Sequence, residues 1–233
     1  MKDQIGLYNF KIHQNKDFKT KLNYLFKCLF YLYLFSFVSH FISNLIQEFV
    51  FNRDISELLL NQQNKDQFED SFLFNVFYVV LLGPFLEESL FRLPLDFKKK
   101  HLLIAVLVFC FFFVGDKYKF LSLSSLQTWI KIISILSVIV IFRYINTEKI
   151  ERYGLKYQGV CFYLMALCFG LLHITNFYSI LPENIKLFSF LFVLPQFFLG
   201  IFIGFVRLKN GFFWGLLMHS LFNLPTVLVY VFK

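Results

Sequence analysis

The sequence predicts an all-α protein, a polytopic bundle of about seven transmembrane helices, on three observations. First, 58% of its 233 residues are hydrophobic and 21% aromatic, with a mean hydropathy of +0.61. A soluble domain is under half apolar and could not hide so many rings in one core. Second, seven apolar runs divide the chain, most of them near the ~20 residues that span ~30 Å of hydrocarbon. Third, the polar segments between the runs alternate in charge, as loops on opposite sides of a membrane do.

Residues 1–24 carry Lys2, Lys11, Lys16, Lys19 and Lys21 against Asp3 and Asp17. They are expected to form a cytoplasmic basic arm, either partly helical on the membrane surface or a loosely ordered tail. Residues 25–233 form a single membrane domain in this reading. Its apolar runs are 25–46, 72–94, 101–115, 127–142, 160–180, 188–206 and 212–232. The third and fourth are short, so they tilt little or pair as a tight hairpin.

Segment 47–71 is acidic, with Glu48, Asp54, Glu57, Asp66, Glu69 and Asp70 against Arg53 and Lys65. Segments 95–100 (Lys98, Lys99, Lys100), 143–158 (Arg143, Lys149, Arg152, Lys156) and 207–211 (Arg207, Lys209) are basic. With the N-terminus in the cytoplasm, the inside segments carry more than twice the Lys and Arg of the outside ones. The positive-inside rule then gives a multi-pass, N-in, C-out protein of the cell membrane.

Several function classes are excluded. The net charge of +8 lies in short clusters at the ends of apolar runs, not in the continuous basic stripe of a nucleic-acid binder. Cys28, Cys110, Cys161 and Cys168 lie in or beside apolar runs with no CxxC pair, which reads as packing and not as a disulfide framework or zinc site. A long polar stretch precedes the first run and no small-residue cleavage site follows it, so no removable signal peptide is expected. The chain also lacks the internal repeat that marks many transporters, which weighs mildly against that class without excluding it.

Ionisable groups at membrane depth are costly, and each is a candidate functional residue. Three segments hold them: Pro84-Phe85-Leu86-Glu87-Glu88-Ser89-Leu90-Phe91-Arg92, Phe169-Gly170-Leu171-Leu172-His173, and His219-Ser220-Leu221-Phe222-Asn223. At helical spacing Glu88 and Arg92 share a face and can pair, as do His219 and Asn223. Glu87 is rotated about 100° from Glu88 and faces elsewhere. At ~1.5 Å per residue, Glu87 lies roughly 15 Å from the cytoplasmic end of its run near Phe97. His219, Asn223 and His173 fall roughly 12, 18 and 20 Å from their run ends, in one slab.

These residue types suit hydrolysis. A carboxylate can take a proton from water while a neighbouring His orients that water. A second His and an Asn amide can donate to an oxyanion. Arg92 would partly neutralise two adjacent glutamates, which cannot both ionise cheaply in a dry site.

The ordered series P-x-x-E-E-x-x-F-R, F-x-x-x-H and H-x-x-x-N resembles the CPBP family of intramembrane proteases. That family includes the type II CAAX prenyl endopeptidases and the Abi bacteriocin-immunity proteins. The resemblance runs from the second span to the seventh. It implies transmembrane helices packed around a cytoplasm-facing polar cavity, with no bound metal or cofactor. Carried over, Glu87 and His173 activate water, His219 and Asn223 form the oxyanion site, and Glu88 and Arg92 support them. The implied partners are the lipid bilayer and a membrane-associated peptide or protein, prenylated or leader-bearing. Two departures stand out: Leu93 and Pro94 follow Arg92 where many members have Gly, and seven spans are expected where the best-understood endopeptidases have eight.

Other functions compete with this reading. Two His and a Glu could ligate zinc, but H-E-x-x-H is absent and Asn is a poor ligand. A non-catalytic scaffold or bacteriocin self-immunity protein of the same family is the main alternative, although no motif residue is missing. A proton relay through Glu87 and His173 is a third.

Overall fold

The computed structural model describes residues 17–51, 72–114, 125–176, 178 and 181–231. The expectations for 1–16 and 52–71 lie outside the described residues. Those that are described are almost entirely helical, with no strand among them. They divide into two compact units, one drawn from Met1–Pro84 and Phe162–Lys233, the other Phe85–Cys161.

In the first unit, α1 (Phe18–Ile46) opens with Asp17 as its cap. The Asp17 carboxylate accepts from the Thr20 backbone N–H at 3.0 Å, satisfying one of the donors a helix start leaves open. The helix continues into a π-helical segment, Gln47–Phe51. Its faces are chemically alike but differently used. Leu25, Cys28, Leu32, Ser39 and Ser43 are buried, while Phe26, Phe30, Phe37 and Phe41 on the other side are 54–70% exposed. An apolar face this large, left open along a whole helix, fits lipid rather than water. The 36 Phe of the sequence therefore need no larger core.

Two further helices of this unit, α7 (Leu194–Asn210) and α8 (Phe212–Val231), pack against α1 and each other. Gly211 joins them at φ 104°, a conformation that favours glycine. The Asn210 amide donates to the Lys21 carbonyl at 2.8 Å, tying that corner to α1. Gly204 on α7 accommodates the Phe162 ring: a Cβ there would lie 2.4 Å from its Cε2 atom. Pro225 sits inside α8. It has no N–H for the Leu221 carbonyl one turn back, and the Tyr33 hydroxyl of α1 donates to that carbonyl at 3.2 Å.

The helix α2 has three parts: an α-helical start Phe72–Phe77, a π-helical segment Tyr78–Leu82, and an α-helical end Gly83–Phe91. The boundary between the units falls at Pro84, inside it. In the second unit α2 stops where the sequence has Leu93-Pro94, because proline disfavours helix at the residue before it. A 3₁₀ turn, Leu93–Asp96, follows, and Phe97 adopts the left-handed conformation at φ 55°.

Three helices continue the second unit: α3 (Lys99–Phe113), α4 (Leu126–Tyr144) and the short amphipathic α5 (Thr147–Lys156). The third and fourth runs form α3 and α4, which pack against each other, and the connection between them at 115–124 lies outside the described residues. The ring of Phe97 lies against Gly154 of α5, where a Cβ would meet it at 2.1 Å. Gln158, at the start of α6 (Gln158–Leu172), donates to the Leu95 carbonyl at 2.8 Å.

Each predicted run therefore contains a helix, but the lengths differ from expectation. Among the described residues three helices are long and apolar enough to cross a membrane, Phe18–Phe49, Leu126–Tyr144 and Gln158–Asn176; Phe212–Leu228 is a shorter apolar helix. The fifth run, expected to reach 180, leaves α-helix at Leu172 for a 3₁₀ turn, His173–Asn176. The sixth, expected from 188, starts α7 only at Leu194, with Pro195 in the first turn, where its missing N–H costs nothing.

Candidate functional site

The end of α2 sorts its two glutamates. Glu88 Oε1 lies 3.2 Å from Arg92 Nη1, both side chains almost fully buried. The pair follows from the i,i+4 spacing, and burial makes it strongly interdependent, since removing either partner strands a charge. Ser89 Oγ donates to the Phe85 carbonyl at 2.7 Å and adds no charge. Glu87, on a different side of the helix, is half-buried. It stands one turn from the helix end at Phe91, so the distance estimated to Phe97 runs partly along the 3₁₀ turn.

The two histidines belong to the first unit. His173 opens the 3₁₀ turn after α6, and its Nδ1 lies 2.8 Å from the Phe169 carbonyl. A carbonyl oxygen only accepts, so Nδ1 carries a proton, and in the neutral form of the ring the lone pair is then on Nε2. His219 on α8 is buried. Phe169, fully buried, touches both rings, with its centroid 4.6 Å from that of His173 and 5.8 Å from that of His219, at 61° and 84°. The sequence supplied Phe169 only as the first letter of a motif. The structure makes it the one aromatic ring against which both imidazoles pack.

Asn223 lies one turn beyond His219 on α8, which packs against the π-helical segment of α2. Its Nδ2 donates to the Val79 carbonyl at 3.0 Å. Thus His173, His219 and Asn223 belong to one unit, and Asn223 is fastened to the part of α2 that lies in it.

Two polar features escaped the sequence pattern. Lys131, in the apolar run of α4, is buried with its ammonium 5.3 Å from the centroid of the Phe111 ring. The rule that flagged Glu87 would have flagged it too. His101 Nδ1 lies 2.7 Å from Asp96 Oδ1 at the base of α3. Among the described residues no three His, Cys, Asp or Glu side chains group as a metal site.

Residues 69–225 match the type II CAAX prenyl endopeptidase Rce1-like family. The match takes in more than half of the chain and all six motif residues, and the chain belongs to this family, one of membrane proteases. No curated protein and no solved structure matches it.

Proposed function

We propose that this CAAX endopeptidase-family protein hydrolyses a peptide bond of a membrane-associated substrate, through a water activated by Glu87 and His173. The observation that carries the reading is the unequal burial of the adjacent glutamates. Glu88 is spent on Arg92 in a buried pair, and Glu87 is rotated away and half-buried.

In this mechanism Glu87 takes a proton from water, and the water oxygen bonds to the scissile carbonyl carbon. The lone pair on His173 Nε2 suits it to accept the second hydrogen of that water and so orient it. The carbonyl π electrons move to oxygen, and the resulting oxyanion accepts hydrogen bonds from His219 and Asn223. Collapse of the tetrahedral species breaks the C–N bond, and the proton held by Glu87 passes to the departing amine. The family's description points to a prenylated carboxy-terminal sequence as the substrate class.

The test is turnover of an internally quenched, farnesylated CAAX peptide by the full chain in detergent. Glu87→Gln keeps shape and removes the base, and kcat should fall by about 10²–10⁴-fold. Near-full turnover by a folded Glu87→Gln protein would sink the reading.

A further inference from the structure

The Val79 carbonyl has lost both of the backbone donors it could have had. In an α-helix it would accept from the N–H of Gly83, four residues on. Here the Gly83 N–H goes instead to the Tyr78 carbonyl, in the wider i→i+5 pattern of a π-helix. In that wider pattern the donor to Val79 would be residue 84, and residue 84 is proline, which has no N–H. The orphaned oxygen is filled by the Asn223 amide at 3.0 Å.

Gly83 belongs to the same device. A Cβ at this position would meet the Tyr78 carbonyl oxygen at 3.0 Å, so the wide turn closes best around glycine. An orphaned carbonyl in an apolar surrounding is costly, which makes its capture of the nearest amide strong. A carboxamide has two N–H groups in one plane. Fixing one of them on a carbonyl fixes the direction of the other.

We propose that Gly83 and Pro84 are positioning residues, which strip the Val79 carbonyl of its backbone donors so that it holds one Asn223 N–H and aims the second. This rests on the reading of Asn223 as an oxyanion donor for its effect on rate, though not for the existence of the socket. Two different substitutions return a backbone N–H to the same oxygen. Pro84→Ala supplies it five residues on. Gly83→Ala presses the turn towards the α-helical pattern, in which the residue 83 N–H returns to Val79. Alanine is the better helix former in both cases, so folding is not at risk from propensity.

The experiment is a double-mutant cycle on the farnesylated peptide substrate, joined to a spectrum of the Asn223 side chain. Each single variant should lower kcat by at least about tenfold with KM within about twofold, a partial version of losing an oxyanion donor. In an Asn223→Ala background neither substitution should lower kcat further. In full-length protein labelled with [¹⁵N]asparagine in micelles, the side-chain amide pair missing from Asn223→Ala identifies Asn223. The shift difference between its two protons should shrink in Pro84→Ala.

Losses that multiply in the double variants would overturn the proposal, because they would not pass through Asn223. So would an Asn223 amide pair that Pro84→Ala leaves unchanged. A changed amide pair with unchanged kcat would overturn the positioning role while leaving the socket. If Glu87→Gln retained turnover, the hydrolytic reading would fall, and the amide spectrum would still decide whether the socket exists.

Discussion

Two prolines in the first unit cause the same covalent defect and meet different fates. Pro84 and Pro225 each leave a helix carbonyl without its backbone donor, Val79 in one case and Leu221 in the other. At Leu221 the Tyr33 hydroxyl fills the gap, at 3.2 Å. At Val79 the Asn223 amide does, at 3.0 Å. A hydroxyl has one proton and spends it on the repair, whereas an amide nitrogen has two and keeps one. The first repair ends in stability, and the second leaves an oriented donor over.

The contrast can be broken at three points. The largest expected effect is at the buried pair of Glu88 and Arg92. Glu88→Gln leaves the Arg92 guanidinium buried beside a neutral amide, and stability should fall by about 3–5 kcal/mol. Chemical denaturation in a fixed detergent would measure it, and kcat of the surviving folded protein should stay within an order of magnitude. A stable Glu88→Gln protein with no turnover would reverse the roles of the two glutamates.

Next comes Asn223→Ala. It removes both the repair and the oriented donor, and kcat should fall by about 10²–10³-fold with KM little changed. A rise in KM at constant kcat would mean that Asn223 only binds substrate. The smallest effect is expected at the other proline. Tyr33→Phe deletes one membrane hydrogen bond, worth on average about 0.6 kcal/mol, and should leave kcat within about twofold. A large loss of turnover there would mean that proline repair on α8 also serves the reaction.

Much of this was legible in the sequence, because periodicity and burial act locally. Each apolar run is a helix, Glu88 and Arg92 pair as their spacing requires, and Pro94 ends α2. What was not legible depends on partners distant in the chain. The π-helical turn at Tyr78–Leu82 has no local signature beyond Gly83-Pro84. Its purpose appears only when Asn223, 144 residues on, is seen to fill the Val79 oxygen. His173 was read as a span residue, yet it opens a 3₁₀ turn, and no residue type in Phe169–His173 announces that change. Lys131 belongs to none of the three motifs, and its one signal is a charge within an apolar run.

The clamp on the end of α2 also has a consequence in time. Leu95 must wait for Gln158, 63 residues later in the chain, before its carbonyl is capped, and Phe97 must wait for Gly154 before its ring has a seat. At ribosomal rates of about 5–20 residues per second, that interval is roughly 3 to 13 seconds. For those seconds the turn bearing Pro94 leaves the ribosome without the contacts that later hold it. The helix that bears Glu87 and Glu88 is thus made early and secured late, after α3, α4 and α5 have been synthesised.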